Sequence, residues 1–213
     1  MAIYQEISEA LQKGKKNDVV ALVTKALEDK LSPEDILGNG LLAGMEIVGE
    51  RFKNNEVYVP EVLIAARAMN AGAELLKQRL LEDGVQPLGK VILGTVKGDL
   101  HDIGKNLVKL MLEGKGLEVI DLGVDVTKEM FYEAYVKEGA KLVACSALLT
   151  TTMGEMKTVV DYFTEMGARD NVTIMIGGAP ITDSYRESIG ADLYASDAAT
   201  AADLAKAAIM SNS

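Results

Sequence analysis

The 213-residue sequence contains one cysteine, one histidine and no tryptophan. A single cysteine, Cys145, excludes an intrachain disulfide framework and points to a reducing cytoplasm. It lies in an apolar run, which predicts a buried small hydrophobe. No apolar run is long enough to span a bilayer. The polar, helix-like N-terminus lacks the apolar stretch of a secretory signal, so no membrane or export role is expected. Basic residues are few, 22 Lys and Arg against 32 Asp and Glu, and the net charge of −10 argues against nucleic acid as a partner. Internal repeats and low-complexity tracts are absent. What remains, 48% apolar and 25% charged residues, is the composition of a globular protein, with length for one large domain or two small ones.

The first 82 residues carry helical periodicity only. Ile3, Ile7 and Leu11 recur every four residues and predict a helix ending near Gly14. Asn17 and Asp18 can cap a second helix bearing Val19, Leu22, Val23, Ala26 and Leu27. Ser32-Pro33-Glu34-Asp35 has the hydroxyl, proline and acids of a helix start and predicts a third helix to about Phe52. Gly38, Gly40, Gly44 and Gly49 lie within it, at a cost of up to about 1 kcal/mol each relative to Ala, so close packing is expected there, by another helix or by a flat ligand edge. Val59-Pro60-Glu61 opens a fourth helix whose Val62, Ala66, Met69, Ala73, Leu76 and Leu80 form one seam of a four-helix bundle.

Asp83 to Gly89 is a turn-rich linker, giving domains 1–86 and 87–213. Beyond it, short apolar strands near 90–96, 117–122, 141–146, 172–176 and 192–195 alternate with helices near 103–114, 127–138, 152–166, 182–189 and 198–210. That alternation implies an α/β domain with a doubly wound five-stranded parallel sheet.

The first strand of this domain runs into Lys97-Gly98-Asp99-Leu100-His101-Asp102-Ile103-Gly104-Lys105-Asn106. His101 thus falls at the carboxyl end of a strand, where open α/β sheets place their ligands. Asp99 can hydrogen-bond one imidazole nitrogen and leave the other as a metal ligand. Gly98 and Gly104, without Cβ atoms, let a large flat ligand approach the backbone. On these residues alone, a solvated or capping histidine is the favoured reading. The third strand ends in Ser146-Ala147-Leu148-Leu149-Thr150-Thr151-Thr152, hydroxyls that suit a polar ligand tail or a buried carboxylate; one of the threonines is also expected to cap the next helix. The fourth strand ends in Gly177-Gly178-Ala179-Pro180, which permits close backbone approach. The fifth, Asp192-Leu193-Tyr194-Ala195, is followed by Ser196-Asp197-Ala198.

Together, Gly98-Asp99-Leu100-His101-Asp102-Ile103-Gly104, Ser146-Ala147-Leu148 and Gly177-Gly178 resemble the DxHxxG, SxL and GG motifs of cobalamin-binding domains. In the helical half, Gly44 to Phe52 and Val59-Pro60-Glu61 resemble the cap domain of corrinoid proteins and of cobalamin-dependent methionine synthase. Nearly the whole chain is therefore similar to the small corrinoid proteins of methylamine, methanol, O-demethylase and quaternary-amine methyltransferase systems: a helical cap and a Rossmann-like (flavodoxin-like) cobalamin domain. The resemblance implies that His101 is the lower axial ligand of cobalt, with Asp99 and Thr152 completing a hydrogen-bonded relay; many relatives have Ser where Thr152 stands. It places Gly98, Asp102, Ile103, Gly104, Ser146, Leu148, Thr150, Gly177, Gly178, Ala179, Tyr194 and Ala198 around the cofactor, its nucleotide tail included. Phe52 and Val59 match cap positions on the methyl side of the corrin, although relatives often have Leu in place of Val59, and both residues can equally fill the bundle core.

The implied cofactor is cobalamin or a related corrinoid, its cobalt cycling between cob(I)amide and methylcob(III)amide. The implied activity is methyl carriage, without independent turnover. A substrate-specific corrinoid methyltransferase loads the carrier, a second methyltransferase unloads it to tetrahydrofolate or coenzyme M, and a reductive activase restores it. The linker at 83–89 is the expected hinge. The alternative is a cobalamin-binding sensory or regulatory module, but such sensors usually carry a DNA-binding segment and an aromatic-rich cap, and this chain has neither. A mutase small subunit would not need the helical cap. A phospho-receiver would place Asp where Ser146 stands, and a flavodoxin would have a Ser/Thr-rich phosphate loop after its first strand.

Overall fold

The computed structural model describes residues 2–84 and 86–211. The chain divides into two compact units, one of residues up to Pro87 with 114–116, the other of Leu88–Glu113 and Leu117 onward. Val85, in the middle of the expected hinge, lies outside the described residues.

The first unit is helical throughout. Helix α1 spans Ala2–Gln12 and α2 spans Lys16–Glu28. The turn between them is too short for the expected cap. Lys15 takes the N-cap position with no side-chain cap bond, which puts Asn17 and Asp18 inside the first turn, where Asp18 pairs with Lys15 at 3.5 Å. Ser32 does open the third rod, its hydroxyl accepting from the amide of Asp35. That rod is not one continuous α-helix. Helix α3, Pro33–Asp35, passes into a π-helical segment, Ile36–Leu42, before α4, Ala43–Lys53. Gly38 and Gly40 sit in the widened turns, where weak intrinsic α preference lowers the cost of leaving α geometry. The glycine-rich face meets a helix: a Cβ on Gly44 would come within 3.1 Å of the Ser8 backbone, and one on Gly40 within 3.1 Å of Ile7, both on α1. Helix α5, Val59–Glu82, buries Val62, Ala66, Met69 and Leu76 along the expected seam, with Ala73 and Leu80 half-buried.

The second unit is a parallel sheet of β1 (Lys90–Thr95), β2 (Glu118–Asp121), β3 (Leu142–Ser146), β4 (Thr173–Gly177) and β5 (Leu193–Ala195), in the order β2-β1-β3-β4-β5. Helices α6 (Ile103–Glu113), α7 (Lys128–Glu138), α8 (Gly154–Glu165), α9 (Asp183–Ile189) and α10 (Ala198–Ser211) connect and flank the strands. The central strands are buried, as continuous apolar runs in a helix-covered sheet should be. Cys145 is one of these residues, packed in a core with Ile92, Phe131, Val143, Phe163 and Ile174. The strand order reverses direction between β1 and β3, so the loops leaving their carboxyl ends diverge around a crevice. Thr95, Ser146 and Gly177 stand in register at the ends of β1, β3 and β4.

Candidate functional site

The β1–α6 loop is organised around a buried charge. Asp99 has no exposed surface, yet its carboxylate is fully partnered. Its Oδ1 accepts from the backbone N–H of His101 (3.1 Å) and lies 2.7 Å from the His101 Nδ1. Its Oδ2 accepts from the amides of Leu148 (2.8 Å) and Leu149 (3.3 Å) and from the Thr152 hydroxyl (2.8 Å). Burial by itself would raise the Asp99 pKa. The hydrogen bonds from Leu148, His101 and Thr152 outweigh it and hold the carboxyl far below the usual carboxylate range. In the neutral ring, an ionised acceptor selects the tautomer with the proton on Nδ1, which leaves Nε2 its lone pair. The His101 side chain is 50% exposed.

Neighbouring strands fix this loop from below. The fully buried Thr95 donates its hydroxyl to the His101 carbonyl at 2.9 Å. Gly98, at φ +79°, turns the chain so that its amide donates to the Asp125 carboxylate at 2.7 Å, while the Asp125 amide donates to the Asp99 carbonyl at 3.1 Å. Behind them, Lys105 on α6 is 2% exposed and places its Nζ 2.6 and 2.7 Å from the two carboxylate oxygens of Asp121 at the end of β2. Thr95, Asp125 and the Lys105–Asp121 pair carry no mark in the sequence pattern. Their roles come from backbone torsions and from contacts between separate loops.

The structure brings Asp99, His101, Thr152 and the Leu148 amide together. Asp102 is exposed and accepts from the side chain of Asn106. Ile103 is 79% exposed, and nothing stands within 4 Å of a Cβ built on Gly104. Ser146 and Gly177 are half-buried neighbours, while Thr150 and Ala179 are exposed. Gly178 has φ +134°, and a Cβ there would overlap the Ala147 carbonyl. Tyr194 is half-buried on β5, whereas Ala198 is buried in the first turn of α10. In the helical unit, Phe52 and Val59 are half-buried, so the bundle core does not absorb either completely. The expected threonine cap is absent. Helix α8 has Met153 at its N-cap with no side-chain cap bond, and the Thr152 hydroxyl, one residue before it, donates to the buried Asp99 carboxylate.

These residues fit a corrinoid. No three His, Cys, Asp or Glu side chains gather into a metal cluster among the described residues. One imidazole nitrogen suits a metal that arrives with its other ligands in a macrocycle. Around the imidazole, apolar side chains are left in solvent: Leu100 is 71% exposed, and Leu148 and Leu149 join Ile103 among the exposed apolar residues. Such apolar exposure beside a polar anchor marks a ligand surface. Leu100 and Leu149 are the members that sequence reasoning missed.

Comparison with known proteins points the same way. Two family profiles, each described as a B12 binding domain, match residues 3–77 and 89–204. The dimethylamine corrinoid protein of Methanosarcina barkeri is 43% identical over 206 residues, 96% of either chain. Trimethylamine corrinoid protein 1 of Methanosarcina acetivorans is 38% identical over 188 residues, 87% of either chain. A chain in the crystal structure of the methanol:cobalamin methyltransferase complex MtaBC from Methanosarcina barkeri superposes with a TM-score of 0.88 at 31% identity, covering 98% of this chain and 80% of that one.

Proposed function

The chain belongs to the corrinoid proteins, and on that footing we propose that it is the methyl carrier of a corrinoid-dependent methyltransferase system. It binds cobalamin or a related corrinoid. When bound, that group supplies a cobalt that takes up a methyl group and releases it to an acceptor. The observation that carries this reading is the Asp99 carboxylate, held between His101 Nδ1 and the Thr152 hydroxyl.

His101 would hold the cobalt through Nε2. Asp99 holds the ring in one tautomer and orientation, and as an ionised acceptor it strengthens imidazole donation. With Nε2 uncoordinated, the ring would be able to hold a proton there, and the same carboxylate would balance that charge. Leu100, Ile103, Leu148 and Leu149, exposed in this structure, would be covered by the bound group and would then keep water from the ring. Ser146 and Gly177, adjacent in register, together with Gly178 and the exposed Thr150, are assigned to the nucleotide tail.

The relatives' systems act on dimethylamine, trimethylamine and methanol, which supports a small N- or O-methylated donor here. We infer docking to a substrate-specific methyltransferase, transfer to tetrahydrofolate or coenzyme M on a second one, and restoration by a reductive activase. No helix among the described residues is long and apolar enough to cross a membrane. The single buried Cys145 suits a reducing cytoplasm.

The test is a UV-visible spectrum after anaerobic reconstitution with hydroxocobalamin, beside His101→Ala. The wild type should show a bound, base-off, His-ligated corrinoid, and the variant should retain corrinoid but lose the His-ligated spectrum. Identical spectra would remove the axial assignment. Failure of the wild type to hold any corrinoid would remove the carrier reading.

A further inference from the structure

Three described non-glycine residues have positive φ: Lys30, Asn55 and Asp125. The first two complete helices, their amides donating back to Leu27 and Phe52. Asp125 completes none. It stands in the loop between β2 and α7, at φ +55°, two residues before the Thr127 cap of α7. Left-handed backbone is unfavourable for an L-residue, and glycine would adopt it at least cost. Here the residue is an aspartate, and its side chain has a specific task in the neighbouring loop.

The Asp125 carboxylate accepts from the Gly98 amide at 2.7 Å, and its own amide donates to the Asp99 carbonyl at 3.1 Å. These two bonds grip consecutive residues, with Leu100 alone between them and His101. The ends of the β2–α7 loop are tied to the same strand, with the Thr95 amide donating to the Gly123 carbonyl and the Val126 amide to the Thr95 carbonyl. Thr95 in turn holds the His101 carbonyl through its hydroxyl. The Asp125 side chain therefore closes a ring of bonds around the segment that sets where the Asp99 carboxylate, and with it the imidazole, can point.

We propose that Asp125 is a positioning residue for His101: by clasping Gly98 and Asp99 from the β2–α7 loop, it holds the Asp99–His101 pair in the orientation that presents Nε2 as a ligand. Asp125 acts through the backbone and does not itself ligate. This inference rests on the corrinoid reading above and adds to it a residue outside the three sequence motifs.

The experiment compares Asp125→Ala, Asp125→Gly and Asp125→Asn in the full chain. Asn keeps an acceptor oxygen and tolerates the left-handed torsion. Gly removes the acceptor and also removes the strain. Any loss seen with Gly is then a loss of the clasp, and Gly serves if the Ala variant does not fold. In the ligand-free protein, amide exchange at Gly98 should quicken about fivefold in the Ala and Gly variants, the share of one net hydrogen bond, and stay unchanged with Asn. The second readout uses protein labelled with nitrogen-15 histidine, loaded with hydroxocobalamin and reduced to Co(II). His101 is the only histidine, so a two-line splitting in the paramagnetic resonance spectrum reports His101, and a three-line splitting reports the cofactor's own base. The two-line signal should persist with Asn and give way to the three-line or unsplit signal with Ala and Gly. Full His101 ligation in both Ala and Gly variants would overturn the proposal, as would its loss with Asn. A wild type lacking the two-line signal would overturn the axial assignment and this role with it; that failure is distinguished because it is already present before any substitution.

Discussion

Replacing Asp99 by Asn keeps the side chain's size and removes its charge, separating shape from electrostatics at His101. An amide cannot accept on both sides. Its NH2 group must face either His101 or the donors Leu148, Leu149 and Thr152, and the backbone amides on that side lose their acceptor, while Thr152 keeps only the Leu149 carbonyl. Asp99→Asn should lower the stability of the α/β unit by about 2–3 kcal/mol, measured by urea unfolding, and weaken His ligation in the reconstituted protein. The pH dependence has a definite sign. The folded carboxyl titrates below the 3.8 of a free Asp, so its contribution is complete above that value and fades as pH falls from 3.8 toward the lower native value. The wild-type advantage over Asp99→Asn should therefore be flat at neutral pH and shrink below about pH 4.

At the level of the element, helix α6 serves two masters, the sheet and the ligand face, and substitutions can separate them. Gly104 lies in its first turn with open space where a Cβ would go. Gly104→Ala should leave the fold intact or raise its stability by about 0.5–1 kcal/mol, yet weaken corrinoid binding, as titration with hydroxocobalamin would show. A loss of stability without a loss of binding would mean that the glycine serves the helix. Lys105, one residue on, faces the other way. Burial would raise the Asp121 pKa, but the hydrogen bond and charge of Lys105 and the Gly123 amide carry it down. Lys105→Met should cost about 2–3 kcal/mol in urea unfolding, less than for a wholly isolated pair, because Lys109 remains 3.6 Å from Asp121. Pairing it with Asp121→Leu should recover much of that loss.

For the molecule as a whole, Cys145 is a built-in reporter. Burial pushes its thiol up to about 12, and it sits in the middle of the sheet, so a thiol reagent should label it only when the α/β unit opens. Labelling at pH 8 should be slow in the native protein, fast in urea and slower still with saturating corrinoid, since a ligand of the folded state lowers the open population. Rapid native labelling would show that the sheet opens locally. The large divisions were legible in the sequence because they rest on bulk patterns. Apolar runs such as Val91 to Val96 are long enough to be strands buried on both sides, and Asp99, His101 and Thr152 stand at strand ends where a motif can be recognised. The π-helical turns at Ile36–Leu42 were not legible, because their glycines suit close helix packing equally well. Nor were Thr95 and Asp125, whose importance lies in torsions and cross-loop bonds that no periodicity encodes. The expected threonine cap has a related explanation: local sequence shows three threonines before a helix, and only the assembled sheet shows that Met153 takes the N-cap position while the Thr152 hydroxyl donates to a carboxylate.

The three donors to Asp99 Oδ2 lie 49, 50 and 53 residues further along the chain. This separation imposes an order on assembly. A polypeptide growing from its N-terminus exposes the histidine well before the segment that completes its carboxylate partner has been made. Until the third strand docks beside the first, Asp99 Oδ2 has only solvent for a partner, and the imidazole is held by its local bond to Oδ1 alone. The arrangement that fixes the imidazole is therefore complete only late in folding, after the segment that carries Leu148, Leu149 and Thr152 has docked.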